Sequence, residues 1–231
     1  MPHIKVAGHQ LAEALNRYSA DYIEAHLEES QGSYITYRGR ELESIGRTTV
    51  TGGNVRALVR GGWGFVSFNN LDELPGKVEL AVKQAGLVGN RESELAAVEP
   101  AVDRVPAKIE KNPVAMPLTE KKQLLDEYND VIWHTPKLQT SIISYGDSHK
   151  KVIFLSSSGS YIEQERTDIN LRLTAVATEG NEVQQTGLSI GSLGDFKAIT
   201  NLHQQVEQMA RHAVELLSAP QVKGGEYTVV L

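Results

Sequence analysis

The chain has 231 residues, of which 40% are hydrophobic and 23% are charged, so it can bury a sizeable core and is not an intrinsically disordered protein. Its 23 Lys and Arg against 29 Asp and Glu give a net charge of -6, which argues against binding to nucleic acid phosphates. It contains no Cys, which excludes disulfides, cysteine nucleophiles and Cys-based zinc sites within this sequence.

Four segments repeat their apolar residues with a helical period, and each is apolar on one side only. They cover residues 11–18, 78–85, 124–132 and 202–216. Asp72 is the predicted N-cap of the second helix, with Pro75 in its first turn, and Thr119 is the predicted N-cap of the third. Pro220 is expected to end the fourth. Four amphipathic helices need a flat apolar partner.

Segments in which every second residue is apolar predict a sheet that can be that partner. Apolar and polar residues alternate over 23–27, 55–59 and 169–177, as in strands of a sheet with one wet face. Gly- and Asn-containing turns separate the segments at short spacing, which favours antiparallel hairpins over parallel crossovers. The predicted class is α+β, with helices packed on a mainly antiparallel, hairpin-built sheet.

The predicted elements follow the order helix, strands, helix, and then repeat it. Residues 99–117 contain four Pro and separate the two series. We therefore predict an N-terminal α+β subdomain over 1–98, a linker over 99–117 and a second α+β segment of the same domain over 118–231. The linker could be ordered across the sheet or flexible.

The last residues, Tyr227 to Leu231, have the composition of a strand and no turn after them. Two interpretations are open. The segment is a terminal strand paired inside a sheet, or the chain is a piece of a longer protein, ending at the junction to a missing C-terminal catalytic domain.

No self-sufficient catalytic group emerges from the motifs. His203 and His212 are nine residues apart on one predicted helix and point to opposite sides, and no His-Glu-x-x-His occurs. The glycines of 52–53 and 61–64 lie beside strands rather than before a helix, so we interpret them as turns and bulges and not as phosphate loops. The sequence thus predicts no catalytic residue and no metal ligand.

Basic and aromatic residues on the strands are the candidates for binding. Four arginines fall on polar faces and could receive a carboxylate or a peptide terminus, although a solvated or salt-bridged sheet face is the favoured explanation: Arg56, Arg60, Arg166 and Arg172. Trp63 and Phe65 fit core aromatics best, with a binding lip as the alternative. The predicted peptide-binding set is Arg56, Arg60, Trp63 and Arg172.

Residues 49–67, Thr-Val-Thr-Gly-Gly-Asn-Val-Arg-Ala-Leu-Val-Arg-Gly-Gly-Trp-Gly-Phe-Val-Ser, resemble the signature of the TldD/PmbA family. In that family a Gly-containing turn leads into an Arg-bearing strand, then Gly-x-x-Gly-Phe and a helix. Residues 156–163, 168–180 and 213–231 are similar to later family segments, so the resemblance covers nearly the whole chain.

The resemblance implies a zinc metallopeptidase with an N-terminal α+β domain and a C-terminal β-rich domain. The latter carries His-Glu-x-x-x-His and a distal Cys as zinc ligands. Neither feature occurs in this sequence, so no zinc ligand or general base is carried over, and zinc is expected in the missing C-terminal half. Family members act on small or unstructured peptides as dimers, and an older family name is modulator of DNA gyrase.

We therefore expect the N-terminal, non-catalytic half of such a peptidase, which helps to enclose the active site and is inactive alone. The alternative is a stand-alone regulatory or assembly protein that forms a mixed dimer with a full-length family member. The expected partners are a peptide substrate and a second copy or a paralogue, with no membrane and no direct nucleic acid contact. The expected location is the cytoplasm.

Overall fold

The computed structural model describes residues 4–91, 93, 95–220 and 223–230. Their helices are α1 (Ile4–Leu15), α2 (Leu74–Val88), α3 (Leu118–Trp133) and α4 (His203–Leu216). Their strands are β1 (Tyr22–Arg38), β2 (Glu41–Val59), β3 (Gly62–Phe68), β4 (Val102–Val105), β5 (Leu138–Ser156), β6 (Tyr161–Glu179) and β7 (Glu182–Ser192). This confirms the predicted α+β class and the repeated order of helix, strands and helix.

All seven strands belong to one sheet, in which five follow the order β3-β2-β1-β5-β6 and both β4 and β7 pair with β6. The outer edge of β6 is shared, because β7 pairs with its residues Ile169–Glu179 and β4 pairs with Tyr161–Gln164. Only β4 is parallel to its neighbour. The strands β1, β2, β5 and β6 are 17 or 19 residues long, much longer than the alternating segments in the sequence.

All four helices lie on one face of this sheet, which we call the helix face, and the opposite face is the open face. Alternate residues of β1 and β5 point into the helix face, and they contribute to two separate cores. The core under α1 and α2 includes Ile23, Leu27, Val55 and Ile153. The core under α3 and α4 includes Ile35, Ile143, Leu171 and Leu173. The open face has no helix over it among the described elements.

The two predicted N-caps are wrong. Helix α2 begins at Leu74 after Glu73, whose φ is 50°, and no side chain caps it. The ammonium group of Lys77, in the first turn of α2, donates to the carbonyl oxygen of Asp72 at 2.8 Å. Helix α3 begins at Leu118, one residue before Thr119, so that threonine is already helical.

The Pro-containing stretch 99–117 carries β4 and a short 3-10 turn over Pro113–Ala115. The proposed division at 99–117 stays a prediction. Residues 226–230 are assigned to no helix or strand, so they do not form the predicted strand in this structure, and Leu231 lies outside the described residues. No helix in the described part of the chain has the length and hydropathy needed to cross a membrane.

Candidate peptide-binding surface

Two glycines of β3 let α2 lie directly against that strand. A β-carbon on Gly64 would lie 1.9 Å from the carbonyl oxygen of Ala81, and one on Gly62 would lie 2.4 Å from the backbone nitrogen of Gly89. The interpretation of these two glycines as turn or bulge residues is therefore wrong, since they mark a close approach of two backbones. Gly61, with a φ of 79°, does form the turn before β3.

The same alternation places Trp63 and Phe65 on the open face. Their side chains are 44% and 54% exposed, so the interpretation as core aromatics is wrong. Helix α2 covers the helix face of β3, so the residues that alternate with Gly62 and Gly64 point to the open face. Exposed rings of this size are unusual on a strand and are typical of a contact surface.

Strands β1 and β2 bring three more side chains to these rings. The Arg56 guanidinium carbon lies 5.2 Å from the centre of the Trp63 ring, a cation–π contact. The Arg56 Nη2 atom lies 2.6 Å from Glu24 Oε1. The Tyr22 hydroxyl donates to Glu24 Oε2 at 2.9 Å, and its ring meets Trp63 edge to face at 6.3 Å. We call Tyr22, Glu24, Arg56, Trp63 and Phe65 the Trp63 surface.

The hydrogen bonds within the Trp63 surface leave the Nη1 group of Arg56 available to a ligand. Burial and the hydrogen bond to Glu24 raise the pKa of Tyr22 to about 12, so its hydroxyl stays protonated at neutral pH. Glu24 engages Nε and Nη2 of Arg56. A guanidinium has five N–H donors, and those on Nη1 can therefore serve a peptide carbonyl or carboxylate.

The predicted set does not form one site. Arg56 and Trp63 are in contact, but Arg60 lies in the β2–β3 turn with a φ of 50°, and its guanidinium donates to the carbonyl oxygen of Gly86 at 3.3 Å. It thus neutralises the C-terminal end of α2. The structure thus brings Arg56 and Trp63 together and directs Arg60 to the end of α2.

Arg172 lies at the other end of the sheet. Through the strand pairings it is level with Thr36 of β1, whereas Trp63 is level with Tyr22. Fourteen residues along a strand correspond to roughly 45 Å at about 3.3 Å per residue, so a single patch that contains both residues is excluded. Arg166, the fourth arginine considered for that patch, donates hydrogen bonds from Nε and Nη2 to the carboxylate of Asp168.

Tyr22 and Glu24 were not predicted as site residues. Their alternation with Ile23 and Ala25 placed them on a polar face, but only the pairing of β1 with β2 sets Glu24 opposite Arg56. Strand register is fixed by long-range packing and carries no short sequence signal.

A second polar cluster is buried on the helix face, between the two cores. Lys121 of α3 lies 2.6 Å from Asp147 of β5, and their side chains are 1% and 0% exposed. Ser33 and Tyr145 each donate a hydroxyl hydrogen bond of 2.5 Å to the same Asp147 oxygen. Burial lowers the pKa of Lys121, and the attraction of Asp147 opposes that shift. With both charges enclosed by protein, the cluster links α3 to the sheet and is not open to a substrate.

The described residues bring no three His, Asp or Glu side chains close enough to hold a metal ion. The zinc that the family resemblance implies therefore does not fit the donor set of this part of the chain. The Trp63 surface offers aromatic rings and hydrogen-bond donors, the groups that contact an extended peptide in other proteins.

Two family models match the chain. Residues 24–85 match PmbA/TldA metallopeptidase domain 1, and residues 111–219 match the PmbA/TldA metallopeptidase central domain. The chain is 36% identical over 225 residues to Metalloprotease slr0863 of Synechocystis sp., a match that covers 96% of this chain and 49% of that protein. It is 27% identical over 217 residues to Metalloprotease MJ0996 of Methanocaldococcus jannaschii, with 91% and 48% covered.

Solved structures share the fold. A protein of Thermotoga maritima described as a modulator of a DNA gyrase has a TM-score of 0.77 at 12% identity, with 96% of this chain and 50% of that chain covered. TldE from Thermococcus kodakarensis has a TM-score of 0.68 at 15% identity, with 93% and 47% covered. The chain spans about half the length of the curated relatives it matches. Both consecutive domain models and nearly full-length similarity to a named metalloprotease show that this chain belongs to the TldD/PmbA family of metallopeptidases.

Proposed function

We propose that this chain is the N-terminal, non-catalytic half of a zinc metallopeptidase that hydrolyses peptides. The observation that carries the proposal is that the relatives named metalloprotease are about twice as long as the stretch they share with this chain. The absence of Cys from the sequence and the donor set of the described residues agree with zinc ligands supplied by another part of the protein. We assign no hydrolytic step to any residue of this chain.

The role of this half is to hold the peptide beside the catalytic half and to help enclose the active site. The Trp63 surface supports that role, because the exposed rings can contact apolar side chains of a peptide and the Nη1 N–H groups of Arg56 can donate hydrogen bonds to its carbonyl or carboxylate oxygens. An edge strand such as β3 adds backbone groups that are independent of peptide sequence. The preferred substrate is therefore an extended peptide with apolar side chains.

The remaining expectations belong to the same proposal. The full-length protein would act in the cytoplasm as a homodimer or as a heterodimer with a paralogue. The net charge of -6 supports a role without direct nucleic acid contact. Zinc would be bound by the catalytic half.

Peptide binding to the 231-residue chain tests the role of the Trp63 surface. The Trp133→Phe variant leaves Trp63 as the only indole, so its fluorescence reports an added unstructured decapeptide that contains two leucines. Calorimetric titration then compares Trp63→Ala with Val50→Ala, which removes another exposed apolar side chain of the open face. We expect Trp63→Ala to weaken binding about tenfold or more, as for a central aromatic contact, and Val50→Ala to change it less than twofold. Equal affinities in the two variants would refute this role.

A further inference from the structure

The outer edge of β3 presents backbone groups to solvent. Strand β3 lies at the end of the sheet order, and among the described strands it pairs with β2 alone. The N–H of Phe65 donates to Gln84 Oε1 of α2 at 3.3 Å, so the backbone groups of Phe65 point away from β2. Every second residue of a strand directs its backbone groups to the same side, and those of Trp63 and Ser67 therefore point outward as well. This edge can pair with a further strand.

Gln84 lies in the middle of an apolar side of α2. Leu80 is four residues before it, Leu87 three residues after it and Val88 four residues after it, so all three share its side of the helix. Their exposed fractions are 46%, 78% and 61%. Because the Gln84 side chain reaches the edge of β3, these three side chains flank the same edge.

The edge of β3 therefore runs between two apolar rows. Trp63 and Phe65 form the row on the open face, and the exposed residues of α2 form the row on the helix face. Exposed apolar residues that occur singly are ordinary on a protein surface, whereas five along one strand edge are typical of an interaction site. We call this site the β3–α2 groove, and its residues are Trp63, Phe65, Ser67, Leu80, Gln84, Leu87 and Val88.

One end of the β3–α2 groove is basic. It lies at the β2–β3 turn, where the N–H of Arg91 donates to the carbonyl oxygen of Arg60 at 3.0 Å. The carboxylate of Asp21 accepts a hydrogen bond from the N–H of Arg60 at 2.6 Å. Two guanidinium groups face one carboxylate there, so this end favours the carboxylate of a peptide.

The other end is acidic. It lies where β3 ends at Phe68, and exposed Asp72 and Glu73 precede α2 there. The Lys77 ammonium group lies 4.7 Å from the centre of the Phe68 ring and is outnumbered by these two carboxylates. A peptide with its amino terminus here and its carboxylate at the basic end is complementary in charge to the groove. Such a peptide runs antiparallel to β3.

We propose that the β3–α2 groove binds an extended peptide segment with adjacent apolar residues, which pairs antiparallel with residues 63–67 and displaces Gln84 from the Phe65 N–H. The inference rests on the proposed peptide-binding role and names the class of peptide. In the free protein, the Gln84 amide oxygen occupies one position that the carbonyl oxygen of an added strand takes.

The two rows explain why adjacent apolar residues are preferred. Side chains directly opposite one another on paired strands lie on the same face, so peptide residues opposite Trp63 and Phe65 contact these rings. The peptide residues between them point to the helix face and contact Leu80 and Leu87. A segment in which only every second residue is apolar fills one row and leaves the other exposed.

Two decapeptide isomers of the same composition test the preference by calorimetric titration of the 231-residue chain. One ends in Val-Leu-Val-Leu, and in the other a Ser separates each of these residues from the next. We expect the alternating isomer to bind at least about tenfold more weakly, since it buries one row only. Equal affinities would overturn the proposal and leave the role of the Trp63 surface intact, whereas no binding of either isomer would overturn both.

Leu87→Ser tests the row on α2 without changing the Trp63 surface. We expect it to weaken binding of the continuous isomer about fivefold or more and to change binding of the alternating isomer less than twofold. Val183→Ser is the matched control, because it removes an apolar side chain that is 57% exposed on β7. A Leu87→Ser variant that binds the continuous isomer as tightly as Val183→Ser does would contradict the second row.

Amide exchange at Phe65, followed by NMR, tests the pairing. Gln84→Ala removes the acceptor of this N–H, and we expect exchange in the free variant to be at least about threefold faster than in the unaltered chain. The continuous isomer at saturation should slow exchange at least about tenfold in both proteins. A Phe65 amide that exchanges at the same rate with and without bound peptide would show that the peptide does not pair with β3.

Amidation of the peptide carboxylate tests the direction. We expect the amidated continuous isomer to bind the unaltered chain about threefold more weakly than the free acid, and to bind Arg91→Gln with the same affinity as the free acid. An identical effect of amidation in both proteins would contradict the antiparallel direction.

Discussion

Glu24 lies between Tyr22 and Arg56, and the charges of Glu24 and Arg56 shift the pKa of the Tyr22 hydroxyl in opposite directions. Its carboxylate accepts a hydrogen bond from the Tyr22 hydroxyl and pairs with Arg56. A carboxylate beside a phenol disfavours the phenolate, whereas a nearby guanidinium favours it. Burial and the Glu24 hydrogen bond outweigh Arg56, and the pKa of Tyr22 is raised to about 12. Titration of one tyrosine therefore reports the geometry of the Trp63 surface.

Replacing Glu24 with Gln should lower the pKa of Tyr22 toward its ordinary value near 10, because the charge is removed while an amide oxygen remains. The measurement is an NMR titration with ring-labelled tyrosine, in which Tyr22→Phe identifies the resonance. In the unaltered chain the unfolded state releases this proton before the folded state does, so Tyr22 should reduce stability as pH rises from about 10 to about 12. A Tyr22 pKa that Glu24→Gln leaves unchanged would contradict the described contact.

The buried pair of Lys121 and Asp147 permits a matched comparison with its neighbour. Lys121→Met leaves the Asp147 charge enclosed without its partner, and we expect a loss of about 3–5 kcal/mol in the free energy of unfolding. Lys122→Met breaks the exposed pair with Asp126, and we expect a loss of at most about 1 kcal/mol. Urea unfolding measures both. Equal losses would mean that the Asp147 environment is solvated.

Trp63 shows where residue-level prediction from sequence ends. An aromatic residue between glycines was expected in the core, since most large apolar side chains are buried. The glycines are small because α2 approaches β3 there, and this approach turns Trp63 outward. The outward orientation of Trp63 therefore depends on a contact between β3 and α2, whose contacting residues are about 20 apart in the chain, and residue types alone do not encode that contact.

At the scale of elements, α2 and β3 form the support of the Trp63 surface. The helix contacts the strand through backbone atoms, so a single methyl group at the contact must displace one of them. Helix periodicity predicted α2, and alternation predicted part of β2. The predicted caps are wrong because α2 follows Glu73 and α3 follows Pro117, and neither residue caps its helix with a side-chain hydrogen bond.

Gly64→Ala should destabilise the protein by about 1–3 kcal/mol, since its β-carbon overlaps the carbonyl oxygen of Ala81. Gly76→Ala in α2 is the control, because nothing lies within 4 Å of its β-carbon. Alanine favours a helix over glycine, so this control should gain about 0.5–1 kcal/mol. Thermal unfolding of both variants decides the matter, and a neutral Gly64→Ala would contradict close packing of α2 on β3.

At the scale of the whole molecule, the sequence predicted a helix–strands–helix order that occurs twice, and the structure has that order. It did not predict the joining of the two halves through β1 and β5 or the parallel position of β4. The centres of the long strands are polar and rich in Gly and Ser, as at Gly32 and Ser148, so their alternation is weak even though their backbones pair. Pairing between distant strands needs the folded context.

The measurement closest to the central claim is zinc content and peptide hydrolysis, made in parallel on the purified 231-residue chain and on a full-length protein that contains it. We expect no stoichiometric zinc and no chelator-sensitive cleavage of an unstructured peptide for the chain, and about one zinc per protomer with chelator-sensitive cleavage for the full-length protein. A 231-residue chain that binds one zinc tightly and hydrolyses the peptide until the metal is removed would contradict the assignment of this half as non-catalytic.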